Sequence, residues 1–307
     1  PNLILPSQVG SYVVSHLMKI TEAFLGHDNV KSAVICVPAK FNQRQRMATH
    51  EAFQNAGVKV ARVVEEPTAA ALAYGLHRKP GVDYILVYDF GGGTLDVSLL
   101  YVTNDFVDVM GSDGDDRLGG ADFDAAVAHF LLRNGGQPVV DRVAKVLARL
   151  EKDLPSDKDL DDALASACPE LIDVPLCTSS SFHTIGEELK IALSDHPDGG
   201  ATVRSTCLGL GADGNDEIRS LHDFCPALTK ETLSLTSEQY EESVKDLYDR
   251  AVLPVNRLLT DLNLHTSDIN EVVMVGGTTR LPRIRTLVQD ALPTASLNTH
   301  IDPDITV

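Results

Sequence analysis

The sequence predicts an α/β protein in which two related strand–turn–helix units face a cleft, with a more polar and less regular segment set between them. Three observations carry this. Short apolar runs alternate with stretches whose apolar residues recur at helical spacing. The order strand, turn, helix occurs twice, over residues 33–56 and 271–292. Three consecutive glycines, Gly91 to Gly93, join two apolar runs that read as a hairpin. With 307 residues, 43% of them hydrophobic, the chain can bury a large core and is expected to form about two domains at roughly 150 residues each.

Along the chain, Val9, Val13, Leu17, Ile20 and Phe24 predict an amphipathic helix over 7–25, stopped by Gly26. Residues 33–37, closed by Pro38, read as a buried strand, and 44–56 as a helix ending before Gly57. A strand over 58–64 leads to Pro67, which suits a first helical turn and opens a helix over 68–74. Strands are expected over 84–88, 95–101 and 106–110. Beyond Gly119 and Gly120 the composition turns polar, with a helix around Val143 to Leu150 and an acidic stretch over 151–162. Regular order returns with a helix over 237–259, a strand over 272–275, a Gly276-Gly277 turn and a helix over 280–292.

Lys plus Arg number 26 against 44 Asp plus Glu, a formal charge of −18 that repels nucleic acid and anionic membrane surfaces. No apolar run approaches the ~20 residues that span a bilayer, and the first residues lack the pattern of a signal peptide. Five cysteines without a CxxC pair argue against a disulfide framework, and the ten histidines show no metal-ligand spacing. A soluble protein of a reducing compartment, taken as the cytoplasm, is the expectation. Because the chain begins with Pro1, an upstream portion, with any targeting signal, is expected to be missing.

Three places can carry chemistry. In Asp89-Phe90-Gly91-Gly92-Gly93-Thr94-Leu95-Asp96 the glycines can take φ > 0 and bring N–H groups against phosphate oxygens. Asp89 and Asp96 repel phosphate, so they make sense there with a divalent ion or its waters between; alternatively the segment is a plain hairpin turn. Glu66, at the edge between a strand and the helix of Pro67, is either a base that orients water or a carboxylate favoured by the helix dipole. Gly276-Gly277-Thr278-Thr279-Arg280 either admits a nucleotide, with Arg280 stacked on a base, or is a tight strand-to-helix turn. Asp304 either caps a helix or contacts a ribose. Gly209 to Gly214 matches GxGxxG without a following helix, Asp113 to Asp116 lacks a calcium loop's glycine, Ser194-Asp195-His196 is no triad, and no P-loop is present.

Together, residues 37–42 (VPAKFN), 66–71 (EPTAAA), 89–98 (DFGGGTLDVS), 118–124 (LGGADFD) and 276–282 (GGTTRLP) closely resemble the nucleotide-binding domain of the seventy-kilodalton heat-shock chaperones. The likeness covers nearly the whole chain and is weakest over 131–226. It implies the actin-like ATPase fold, two lobes of ribonuclease-H-like units closing over ATP or ADP with Mg2+ and K+. It divides the chain into the remainder of lobe I (1–79), the core of lobe II (80–118 and 244–307) and a variable tip (119–243). By matching position, Gly91, Gly92, Gly93 and Thr94 hold the β- and γ-phosphates, Asp89 and Asp96 orient metal-bound waters, and Glu66 positions the attacking water. Gly119, Gly120, Gly276, Gly277, Thr278, Arg280 and Asp304 belong to the nucleotide site, with Glu187, Lys190 and Ser194 reaching it from the tip. Pro38 and Arg46 match the switch that couples nucleotide state to substrate affinity.

The same resemblance implies unfolded polypeptide clients held by a domain absent here, a J-domain co-chaperone and a nucleotide-exchange factor, with the fragment a monomer. Ile191 departs from the pattern, standing where an adenine-stacking arginine is usual, and Thr278 replaces a serine. The first phosphate hairpin and the catalytic lysine of the pattern fall upstream of Pro1, so the parent is expected to hydrolyse ATP slowly and the fragment negligibly. A divergent regulatory member that binds nucleotide with little turnover is the alternative; a sugar kinase shares the superfold but not these motifs.

Overall fold

A computed structural model describes residues 4–104, 106–131, 179–195, 200–204, 232–303 and 306. They divide into two compact units, residues 1–116 with 252–307, and residues 117–251.

The first unit opens with α1 (Pro6–Leu25), whose Pro6 sits in the first turn and whose Gly26 ends it at φ 72°. The parallel strands β1 (Ser32–Val37) and β2 (Lys59–Glu65) are joined through α2 (Gln43–Asn55). Asn42 starts α2 with reciprocal bonds, its side chain accepting from the Gln45 N–H and its own N–H donating to the Gln45 side chain. α3 (Glu66–Ala73) follows without a break, with Pro67 in its first turn.

The central sheet runs β5-β4-β3-β8-β9, formed by β3 (Tyr84–Phe90), β4 (Leu95–Thr103), β5 (Phe106–Asp115), β8 (Glu271–Val275) and β9 (Ser296–Asn298). β3, β4 and β5 form an antiparallel meander, and β8 joins β3 in parallel with β9 beyond it. Period-2 alternation puts Ile85 and Val87, Leu100 and Val102, and Val273 and Val275 into one buried cluster with Ala70 and Ala71 of α3. The small alanines let that helix lie close to the sheet. Leu86, Tyr88, Val272 and Met274, which alternate with them, are buried as well, as a sheet covered on both faces requires.

Lys79 and Asn298 close on Glu271, at 2.6 and 2.8 Å, supplying the partners that a carboxylate with 3% exposure needs. The Tyr74 hydroxyl, meanwhile, exchanges bonds with the N–H and C=O of Ile301. After β8 comes a single 3-10 turn, Gly277–Arg280, and then α7 (Pro282–Ala291).

The second unit contains α4 (Gly120–Leu131), α5 (Ser179–Asp195), β6 (Gly200–Arg204) paired antiparallel with β7 (Thr232–Thr236), and the start of α6 (Ser237–Asp261), which runs on into the first unit. α4 and α5 pack closely at Gly186, where a Cβ would lie 2.7 Å from the Asp124 carbonyl.

Four expectations need correction. The apolar stripe of α1 is exposed, with Val9, Val13, Leu17 and Ile20 each more than half accessible. The helix packs on α2 through Val14 and Gly10 instead, because small residues let the two backbones approach; a Cβ at Gly10 would lie 3.1 Å from that of Ala52. The strand expected over 106–110 continues to Asp115, since Gly111 to Asp115 stay in register with Leu99 to Leu95. Glu66 belongs to the helix rather than to a loop before it. The helix expected from Arg280 begins at Pro282, because Leu281 has extended ψ before that proline.

The helix around Val143, the acidic stretch, the GxGxxG match and Asp304 lie outside the described residues.

Candidate functional site

The hairpin register sets the electrostatics. Asp89 on β3 lies directly opposite Asp96 on β4, so two carboxylates face each other across adjacent strands, an arrangement that destabilises a sheet unless something relieves it. Alternation places Asp89 on the same face as Val87 and Ile85, and Asp96 with Ser98 and Leu100. α3 packs on that face through its alanines, which brings its first residue, Glu66, to the same end. Glu66, Asp89 and Asp96 line one cavity together with Pro38, Lys40 and Pro67.

Crowding shifts the protonation of these acids. Burial, and then the neighbouring carboxylates of Asp89 and Asp96, push Glu66 up to about 7. Burial and the facing Asp96 raise Asp89 to about 6. The Cys36 thiol is pushed up by burial and by Glu66. Lys40, whose Nζ is 3.0 Å from Asp96 Oδ1, supplies the positive charge at the other side of the cavity. Ser98 and Ser112, hydroxyls 2.9 Å apart, line it as well.

The turn between the paired aspartates is closed by the Gly91 N–H donating to the Thr94 carbonyl, 3.1 Å. None of Gly91, Gly92 and Gly93 lies at positive φ, contrary to expectation, because the tight closure is achieved without left-handed residues. Gly92, Gly93 and Thr94 are exposed, and a Cβ at Gly92 or Gly93 would have no neighbour within 4 Å, so the tip of the turn is open.

A second turn meets the first. Thr278 Oγ1 donates to the Gly91 carbonyl at 2.8 Å, and the Gly276 N–H donates to the Pro303 carbonyl at 3.0 Å. Here positive φ is required: Gly276 sits at φ 83°, ψ 144°, and a Cβ there would lie 2.4 Å from the Phe90 carbonyl oxygen. Arg280 makes an ion pair with Asp302 at 2.5 Å, which holds its guanidinium beside the segment leading to Pro303. Gly277 begins the 3-10 turn between them.

Arg46 holds the loop after β1, donating to the carbonyls of Ala39 and Phe41 and pairing with Glu65 at 2.6 Å. The same loop is closed by the Phe41 N–H on the Pro38 carbonyl.

In the second unit, the Gly119 N–H donates to Asp122, and Gly120 begins α4 with its carbonyl 3.5 Å from Lys190 Nζ. Lys190 pairs with Asp124 at 2.7 Å, and Ser194 donates to the Lys190 carbonyl. Glu187 and Ile191 are exposed on the same helix. Burial still raises the Asp124 pKa against the pull of Lys190.

The first unit thus brings together Glu66, Asp89, Asp96, the triple-glycine turn and the turn at Gly276. Sequence reasoning left out Lys40 and Asp302. A lysine two residues beyond the proline that ends β1, at a loop edge where binding side chains are commonly presented, was the available signal for the first. Asp302 carried none, because its partner Arg280 is 22 residues away. Among the described residues no three His, Cys, Asp or Glu converge to cage a metal directly. No helix among the described residues is long and apolar enough to cross a membrane.

The family model described as Hsp70 protein matches residues 2–156 and 224–307. The chain is 36% identical to the chaperone protein dnaK of Thalassiosira pseudonana over 299 residues, 97% of this chain and 42% of that protein. It is 33% identical to the chaperone protein dnaK1 of Synechocystis sp., covering 97% of this chain and 37% of the relative. Against the heat shock 70 kDa protein of Neurospora crassa the identity is 34%, with 97% and 39% covered. The chain spans about two-fifths of the length of these curated relatives.

Proposed function

The chain belongs to the Hsp70 family, with its actin-like α/β ATPase fold, and on that premise we propose that it is the ATP-binding and ATP-hydrolysing part of a molecular chaperone. One observation carries the proposal: three carboxylates, Glu66, Asp89 and Asp96, share a cavity beside a hairpin whose triple-glycine turn has Gly92 and Gly93 exposed. Facing anionic groups beside such a turn suit a polyphosphate that arrives with its counter-ion.

The amides of Gly92, Gly93 and Thr94 bind the terminal phosphates of the nucleotide, and Gly91, whose N–H closes the turn on the Thr94 carbonyl, shapes the loop that holds them. The turn from Gly276 to Arg280, tied to the first by Thr278, supports the adenosine side. Asp89 and Asp96 would hold Mg2+, largely through water, and the ion would supply positive charge for the transferred phosphoryl group. Glu66, with its pKa near neutrality, orients the attacking water and takes up its proton. Positioning and charge stabilisation supply most of the rate in such phosphoryl transfer.

For the whole protein the reading extends to K+ as a further ion, to coupling of nucleotide state with polypeptide binding through Pro38 and Arg46, to J-domain and exchange-factor partners, and to a cytoplasmic location. The domain assignment of the sequence reading, with lobe II core at 80–118 and 244–307, is kept as part of it.

The test is single-turnover hydrolysis by the full-length protein and its Glu66→Gln variant. The account expects slow hydrolysis that E66Q reduces at least a hundredfold while ATP still binds, in line with the loss of a positioned acid–base group. Tight ATP binding by the unaltered protein without turnover would replace it with the regulatory reading.

A further inference from the structure

The cavity at the hairpin is lined by one charged group that the mechanism above does not use. Lys40 extends from the loop between β1 and α2, and its ammonium reaches Asp96 Oδ1 at 3.0 Å. Among the described residues lining this cavity it is the one cation, set against the carboxylates of Glu66, Asp89 and Asp96.

Its placement is built in. Arg46 binds the carbonyls of Ala39 and Phe41 on either side of Lys40, at 3.1 and 2.9 Å, and the Phe41 N–H closes the loop on Pro38. The backbone that carries Lys40 is therefore held on both flanks. Room for the ammonium comes from the facing strand, where Gly114 is the register partner of Asp96. A Cβ at Gly114 would lie 2.6 Å from Lys40 Nζ, so any larger residue at 114 would displace it. About a third of each side chain in the pair is accessible, so an incoming anion can reach the ammonium without unfolding anything.

We propose that Lys40 is a polyphosphate-binding residue of this site: held on Asp96 in the free protein, it turns one of its N–H donors to the terminal phosphates of the nucleotide seated on the Gly91–Gly93 turn. The chemistry favours the exchange. An ammonium carries three donors, and the single bond to Asp96 leaves two for other acceptors. Asp96 lies two residues beyond Thr94, at the end of the turn where those phosphates sit. Lys40 also lowers the repulsion that the facing Asp89 and Asp96 impose on an approaching anion. The inference rests on the nucleotide reading of the site and names a residue which that reading does not include.

The experiment compares ATP binding by calorimetry with adenosine binding by competition, in the full-length protein and its Lys40→Met variant. Lys40→Gln serves as a second uncharged variant should K40M not fold. Loss of a charged hydrogen bond to phosphate predicts ATP binding weakened roughly ten- to hundredfold. Adenosine, which has no phosphate, should bind within about twofold of the unaltered protein. ATP affinity unchanged in the variant would overturn the role of Lys40 and leave the nucleotide site standing. Equal loss for ATP and adenosine would also overturn it, assigning Lys40 to holding the loop. Failure of the unaltered protein to bind ATP at all would overturn this inference together with the nucleotide reading.

Discussion

Gly276→Ala is the substitution whose effect can be worked most fully from the geometry. Gly276 lies at φ 83°, ψ 144°, a region that side-chain-bearing residues occupy at a cost of about 1–3 kcal/mol. The added methyl would also stand 2.4 Å from the oxygen and 2.5 Å from the carbon of the Phe90 carbonyl, and 2.8 Å from the Gly91 nitrogen. All three are backbone atoms of the hairpin, and Phe90 is fully buried, so no flexible side chain can move aside. Overpacking of this kind adds about 1–3 kcal/mol. A total loss near 4 kcal/mol follows, about a thousandfold in the folding constant and a large part of an ordinary domain's stability.

Urea unfolding followed by circular dichroism measures it. Gly92→Ala is the control: its Cβ would have no neighbour within 4 Å and its φ is not positive, so its stability should stay within about 1 kcal/mol of the unaltered chain. G276A within 1 kcal/mol of the unaltered chain, or G92A as damaging as G276A, would refute the claim that the two turns are in enforced contact.

Other outcomes follow from single contacts. The raised pKa values of Glu66 and Asp89 mean that the folded chain keeps protons which the unfolded chain has released. Stability is therefore greatest below the ordinary values of 4.5 and 3.8 and falls as pH rises, through about 7 for Glu66 and about 6 for Asp89. Glu66→Gln should flatten the upper part of that fall, by on the order of 1–2 kcal/mol at pH 8 after allowing for solvent screening, as thermal or urea melts across the pH range would show; an unchanged slope would remove the shared-charge account. Lys79→Met takes the ammonium from a buried Glu271 and should cost about 2–4 kcal/mol in urea unfolding, whereas a loss below 0.5 kcal/mol would mean that Asn298 alone satisfies it. Thr278→Val removes the hydroxyl bond to the Gly91 carbonyl and should cost about 1 kcal/mol while weakening ATP binding more than it weakens stability. Equal binding by T278V would show that the bond does not set the hairpin.

Much of the fold was legible because the elements are local. Pro67 and Gly26 mark one helix start and one helix end, and the nearly unbroken apolar runs around Ile85, Val87, Leu100 and Val102 mark strands buried on both faces. The sequence showed Asp89 and Asp96 flanking the turn, and the register of the hairpin adds that they face each other across the strands. What the pattern did not reveal depends on packing between distant segments. Periodicity indicates that Val9, Val13 and Leu17 share a face of α1 but not whether anything covers that face, and small residues at Gly10 and Ala52 decided the contact instead.

Likewise, a run of three glycines announces backbone freedom without saying which glycine needs it. The requirement fell on Gly276, where another strand's carbonyl is in the way, and not on Gly91 to Gly93. Lys40 was missed because its partner Asp96 is 56 residues away, and the paired strands that bring them together are a tertiary fact.

The central claim is that the amides of Gly92, Gly93 and Thr94, exposed residues of the hairpin turn, bind a polyphosphate. Amide chemical shifts of the full-length, isotope-labelled protein test it most directly during titration with ATP in the presence of Mg2+. The N–H signals of Gly92, Gly93 and Thr94 should show the largest movements, with much smaller ones when adenosine replaces ATP. Saturable ATP binding that leaves those three signals in place would contradict the account.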